Sequence, residues 1–483
     1  MATRIAPAPP SALLVRPVAR PLPPELTPLR ALAAVERDPH TVFLESGGPA
    51  GDGARWTLLA FDPRYRLEVR GNALWRVSES GATSQIPGDP MSALAHAWPE
   101  RIRYDEGTPD VPFRSGFMGW LSYDLKDHLE RYPARARHES SLPDLSLGFY
   151  DVVFAWDRAS GAGWVISSGL PERVPGLRSS RADARLEMHL ERVTRDVEPE
   201  RNEVAFESTV LVSNFTRDEY LRVVDRALEH IAAGDIYQVN LAQRFRVEWA
   251  APASKLYRAL RAESPAPFSS LVTTPRGGIV SSSPERFFAI QGRRIETWPI
   301  KGTRPRGRTP EEDEALAVAL RESAKDRAEN VMIVDLERND LGRICEIGSV
   351  RVTSLCEVER FANVQHLVSR VEGILREDAG PVDILRAVFP GGSITGAPKI
   401  RAIQIIDELE PTRRGPYTGA IGYWDLSGAC DCNIAIRTIV VEAGAASFHV
   451  GGGIVADSTP EGEYEETLVK ARGMMRALGV RPA

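Results

Sequence analysis

The sequence predicts an α+β protein with large mixed or antiparallel sheets. Three observations point there. Short apolar runs ended by Gly, Pro or Asp dominate the first third of the chain, helix-period segments recur in the second half, and the two do not alternate as a regular βαβ series. The 483 residues allow roughly three domains at about 150 residues each, far above the size at which a core becomes hard to build. An apolar share of 43% and a charged share of 26% are ordinary for a folded globular chain, which sets aside disordered, collagen-like and coiled-coil classes.

Taken in order, residues 41–46, 56–61 and 150–156 read as strands, while residues 26–36 and 91–98 carry helical spacing. From Pro171 the chain turns Arg- and Glu-rich, and residues 181–195 read as an exposed helix. The expected organisation is an N-terminal strand-rich region over residues 1–170, a charged connector over 171–213 and a C-terminal region over 214–483. That last region opens with a capping box, Thr216 followed by Glu219. Tyr220, Val223, Val224, Ala227, Leu228 and Ile231 then repeat at helical spacing until Gly234 ends the helix. Residues 236–245 alternate, with Tyr237, Val239 and Leu241 on one side and Gln238 and Asn240 on the other, so a strand with one polar face is expected. A turn at Gln291-Gly292 joins strand segments at 278–283 and 287–290 to one at 295–300. Long helices are expected over 311–338, 381–389, 398–409 and 460–478, with strands over 417–424 and 433–441 between them.

Sixty basic residues against 66 acidic ones leave a net charge of −6, which argues against a nucleic-acid-binding face. The four cysteines, Cys345, Cys356, Cys430 and Cys432, are too few for a disulfide framework and lack Cys-x-x-Cys spacing, so a reducing cytoplasm is expected. No run approaches 18 apolar residues, and the Pro- and Arg-rich start lacks the apolar middle of a signal peptide. A soluble, unexported chain with no membrane contact is the expectation.

Four places put polar groups where packing alone does not ask for them. Lys301 follows an apolar strand and precedes Gly302. With the turn centred on Gln291-Gly292, Glu285 falls opposite Trp298, three residues and roughly 10 Å along the strand from Lys301. A desolvated lysine becomes a nucleophile beside a carboxyl proton donor, although an exposed Lys-Glu pair leaves the same pattern. Asp326 and Glu329 at i, i+3, and Glu463, Glu466 and Lys470 at i, i+3, i+7, each line one helix face. Such carboxylates suit a hard cation such as Mg²⁺, or simply face solvent. The glycine-rich stretches at 390–399 and 450–454 each lead towards a helix, as anion-holding loops or as ordinary turns. Neither is a Walker A loop, because Ala397-Pro398 stands where Gly-Lys-Ser/Thr would begin. Finally, His366 sits in an apolar stretch, where core histidines are common, and Arg437 sits mid-strand with a fork suited to a carboxylate.

Six motifs occur in one order: residues 235–241, Ser283-Pro284-Glu285-Arg286, residues 299–306, residues 334–340, residues 389–399, and Glu463-x-x-Glu466-x-x-x-Lys470. Together they resemble the chorismate-utilising enzymes over about residues 214–473. The resemblance implies an α+β fold of two large packed sheets with helices outside, resembling anthranilate synthase component I. It implies Glu329 and Glu466 as Mg²⁺ ligands with Asp326 and Glu463 as outer carboxylates. Arg437, Tyr417, the Gly453 backbone and Lys470 match groups that hold substrate oxygens, Ser393 lines the site, His366 lies beside the ring and Thr303 in the same cavity. Family members that add water carry a lysine base where this chain has Gln238, which disfavours isochorismate and salicylate chemistry. At the Lys301 position anthranilate synthases typically have a small residue and aminodeoxychorismate synthases a lysine, so the resemblance favours the second branch, with Lys301 as nucleophile and Glu285 as acid. Anthranilate synthesis is the nearest rival, and a non-catalytic tryptophan or chorismate sensor the rival from another class. Ammonia is then expected from a separate glutamine amidotransferase subunit, since no Gly-x-Cys-x-Gly turn is present. A separate aminodeoxychorismate lyase is expected downstream. Glu45 and Ser46, with Pro267 and Phe268, resemble the lining of a tryptophan pocket.

Overall fold

Alternating side chains on the Gly116–Leu121 strand set the layer order, with Phe117 and Leu121 entering one apolar cluster and Met118 and Trp120 another. The second cluster also takes Leu58, Val153, Val272 and Ile279 from a different sheet, so two sheets face each other across it. Helices cover both outer faces. Met91, Leu94, Val334 and Leu385 pack on one, and Leu32, Leu186, Leu260 and Met475 pack on the other. The structure is a computed structural model that describes residues 12–47, 55–133, 135–195, 210–361 and 364–480. Among these residues each large sheet has 12 strands, and the fold is the expected α+β arrangement of two packed sheets with helices outside.

Each sheet joins strands from both ends of the chain. Ala420–Asp425 pairs with Gly116–Leu121 in the first, and Phe268–Thr274 with Val42–Glu45 in the second. The stretch at 171–213 therefore connects two lengths of chain that share both sheets; its residues 196–209 lie outside the described residues. Its helix, Pro175–Thr194, is not fully exposed as expected. It buries Arg178, Ala182, Arg185, Leu186, His189 and Val193, and Arg185 donates to Asp151 at 2.9 Å, which is how a charged sequence can still face a core.

Local signals placed several elements well. Thr27 caps Pro28–Val35, Asp89 caps Pro90–Ala97, and the capping box at Thr216 and Glu219 opens Arg217–Ala232. The long helix expected at 311–338 is two helices, Pro310–Glu322 and Ala324–Gly342. Ser323 breaks the run by accepting the Asp326 N–H and starting the second. The strand expected at 433–441 is also two, Cys430–Ile434 in one sheet and Thr438–Glu442 in the other, so Arg437 is not mid-strand. The polar side of Gln238–Glu248 is buried at Gln238 and Asn240 and opens to solvent at Arg246 and Glu248, while helices pack on Val239 and Leu241 opposite. Gln291 pairs with Arg294, which makes the turn Gly292-Arg293 with Gly292 at φ 66°. That register is shifted by two from the expected one, and the Glu285 carboxyl lies against the Ile300 N–H, next to Lys301.

Candidate active site

Lys301, Glu285 and Ser393 converge from three elements. Lys301 lies on the Ile300–Pro305 strand, which pairs with Val364–Ile374 at the end of the first sheet. Gly302 follows at φ 70°, where a Cβ would fall 2.9 Å from Leu320 and 3.0 Å from Asp326, so the strand passes the Ala324–Gly342 helix closely. Glu285 occupies the step at which the chain leaves Gly277–Ser283 in one sheet for Arg286–Gln291 in the other. Arg437, at φ 49°, occupies a second such step. The two steps are tied together: Ser282 N–H donates to the Arg437 carbonyl at 3.1 Å, Ile434 N–H to the Glu285 carbonyl at 3.1 Å, and Ser283 Oγ to the Ile434 carbonyl at 2.6 Å. Ser393 closes the group. Its Oγ donates to Glu285 Oε1 at 2.7 Å, and its carbonyl accepts from Lys301 Nζ at 3.1 Å.

Burial pushes the Glu285 carboxyl up to about 7, against the Ser393 hydroxyl and the Lys301 charge, which pull it down. Desolvation lowers the Lys301 ammonium, although the charges of Glu329 and Glu285 oppose it. An acid that keeps its proton near neutrality thus stands beside an amine that releases its own more readily than usual. His366 shares a hydrogen bond of 2.9 Å between its Nδ1 and Thr303 Oγ1, while its Nε2 is buried without a partner. Burial, then the Arg437 charge, lowers it to about 3, so the ring is neutral. No acidic group among the described residues offsets the burial of Arg437, which lowers its pKa.

The second glycine motif is not a loop leading to a helix. Gly451, Gly452 and Gly453 lie inside the Ala445–Ile454 strand, opposite Ala242, Leu241 and Asn240. A Cβ on Gly452 would fall 2.9 Å from Glu463 Oε2 and 3.3 Å from Glu466 Oε1, and one on Gly453 would fall 2.5 Å from Gln238 Nε2. The glycines make room for carboxylates and an amide rather than forming an anion cradle. Glu463 accepts from Ser458 Oγ at 2.6 Å, and its other oxygen is buried without a partner. Burial opposes ionisation of Glu466, yet Lys470 at 2.7 Å lowers it on balance; Lys470 also donates to the Gly451 carbonyl at 2.9 Å. Burial raises Glu329, to which Glu466 adds its charge, whereas Asp326 is held by Arg304 at 2.9 Å. Among the described residues no three His, Cys, Asp or Glu side chains close on a common point at metal-ligating distance. Both amide atoms of Gln238 are buried without partners.

A family model for chorismate binding enzymes matches residues 42–476, well beyond the motif span. The chain belongs to the chorismate-binding enzyme family. This family member acts on chorismate. It is 37% identical over 442 residues to aminodeoxychorismate synthase component 1 of Bacillus subtilis, covering 91% of this chain and 92% of that one. It is also 39% identical over 460 residues to anthranilate synthase component 1 of Thermus thermophilus, covering 95% and 96%. The crystal structure of anthranilate synthase component I from Streptococcus pneumoniae superposes with a TM-score of 0.76 at 32% identity, over 88% of this chain and 93% of that one. The menaquinone-specific isochorismate synthase of Escherichia coli shares the fold, with a TM-score of 0.72 at 18% identity over 99% of this chain and 96% of that one.

Two groups of residues in this chorismate-binding fold sit apart from Lys301. Tyr417 stacks on His449 at 5.1 Å between ring centroids and lines a cavity of about 240 Å³. Its link to the Ser393 loop runs through Arg414, which donates to the Ile394 carbonyl at 3.1 Å. Glu45, Ser46, Pro267 and Phe268 line a separate cavity of about 110 Å³. Tyr257 at 2.7 Å and Arg261 at 2.6 Å occupy the Glu45 carboxylate. Buried Glu337, which accepts the Gly392 N–H at 3.2 Å, escaped the sequence reading. Its signal was a glutamate falling on the same helical stripe as Ile333, Val334 and Leu341. No helix among the described residues is long and apolar enough to cross a membrane.

Proposed function

We propose that this protein aminates chorismate to 4-amino-4-deoxychorismate, on the way to 4-aminobenzoate, with ammonia from a glutamine amidotransferase subunit. The observation that carries the reading is the bridge through Ser393, 3.1 Å from the Lys301 amine and 2.7 Å from the Glu285 carboxyl. The Bacillus subtilis relative bears the name of this activity. Neutral Lys301 attacks ring carbon C2 while Glu285 gives its proton to the C4 hydroxyl, which leaves as water. Ammonia then adds at C4 and expels the lysine amine from C2, and the resulting ammonium returns a proton to Glu285. Covalent catalysis divides one hard substitution into two easier ones. Gln238 cannot deprotonate water, which leaves ammonia as the effective nucleophile. Arg437, the Gly453 backbone and Lys470 hold the substrate's carboxylate and pyruvyl oxygens, and neutral His366, oriented by Thr303, lies beside the ring.

The unpartnered Glu463 oxygen and the Glu329 carboxyl, which feels the charges of Asp326 and Glu466, fit a hard divalent cation. Glu329 and Glu466, with Asp326 and Glu463 outside them, would hold Mg²⁺. When bound, it neutralises a substrate carboxylate.

Purified protein incubated with chorismate, Mg²⁺ and ammonium should form an amine that yields 4-aminobenzoate and pyruvate only when aminodeoxychorismate lyase is added. Fluorescent anthranilate released without the lyase would overturn the reading in favour of the anthranilate branch, to which the Thermus thermophilus relative belongs by name. Lys301→Ala should slow amination and divert product towards anthranilate-type chemistry. An unchanged rate and product would remove the lysine from the mechanism.

A further inference from the structure

The residues that hold Ser393 are themselves held from below. Gly392, its predecessor, lies so close to the Ala324–Gly342 helix that a Cβ would fall 2.6 Å from Leu336 Cδ2. The Gly392 N–H donates to Glu337 Oε1 at 3.2 Å. Glu337 is 3% exposed, and the nearby cation, Lys399, is taken by Asp340. We propose that Glu337 is a positioning residue for Lys301 and Glu285, fixing the backbone at Gly392 and so the adjoining Ser393, whose carbonyl and hydroxyl hold the two reactive groups. This deepens the reading above and rests on it for the roles of the two groups.

Burial, then the Asp340 charge, pushes the Glu337 carboxyl up, with Glu285 adding to the rise and Lys399 and the Gly392 N–H opposing it. Its role towards the Gly392 N–H is that of an oxygen acceptor, which the uncharged carboxyl favoured by burial also fills. The groups facing Glu285 are Lys301, Lys470, Ser393, the Ile300 backbone and, across the loop, Glu337.

The test compares Glu337→Gln with Glu337→Leu, following ammonium-dependent chorismate loss from pH 5 to 9 together with thermal melting. Glutamine offers an amide oxygen to the same N–H and should keep kcat within roughly threefold. Leucine removes the acceptor and should lower kcat on the order of 10²-fold, the scale of a misplaced reactive group, at unchanged KM for chorismate. It should also move the alkaline limb upward, because the Ser393 hydroxyl that lowers Glu285 is displaced. Should the leucine variant not fold, Glu337→Met removes the acceptor at similar volume. A leucine or methionine variant that melts earlier but keeps the parent's kcat and limb overturns the proposal, as does a glutamine variant as slow as leucine. A parent that releases anthranilate would overturn the proposed product and leave the comparison of variants readable.

Discussion

Glu285 shows how one buried carboxyl ties activity to stability. Its pKa is about 7 against an ordinary 4.5, so between those values the folded protein keeps a proton that the unfolded chain has released. Stability is therefore highest below pH 4.5 as far as this group is concerned, falls as pH rises through the window to 7, and is level above it. At 1.36 kcal/mol per pKa unit the fall is roughly 3 kcal/mol. Glu285→Gln should abolish the fall, so that urea denaturation finds it more stable than the parent at pH 8 and similar at pH 4. With the proposed general acid removed, the rate should fall roughly 10²–10⁴-fold. Equal denaturation midpoints for the two proteins at both pH values would disprove the linkage.

At the scale of elements, the break at Ser323 places the Asp326 and Glu329 carboxylates in the opening turns of a new helix instead of the middle of a long one. Ser323→Ala deletes the N-cap and should cost about 1 kcal/mol in urea denaturation. A variant as stable as the parent would mean that packing alone starts the helix. The same scale explains the glycine strand. Gly452 and Gly453 are required because the Pro460–Ala477 helix brings Glu463 and Glu466 onto the strand face and Gln238 presses from the neighbouring strand.

Across the whole molecule, both sheets mix strands from the two ends of the chain, and Glu285 and Arg437 sit where the chain steps from one sheet to the other. Neither length of chain can complete a sheet alone. Residues 1–195 and 214–483 expressed apart should each lack a cooperative melting transition, while the intact protein unfolds in one. Independent melting of either fragment would refute that interdependence. Helix starts, the residue types of the reactive groups and their order along the chain were readable in advance, because caps, periodicity and motif spacing are matters of near neighbours. That Lys301, Glu285 and Ser393 share one site was expected from the resemblance, but the contacts by which they meet were not readable. Ser393 lies 92 residues from Lys301 and 108 from Glu285, and the hairpin between Glu285 and Lys301 is paired two residues away from the register expected. Register, sheet exchange and the burial that shifts the Glu285 and Lys301 protons arise from packing between distant strands, a long-range property that no local window of residues contains.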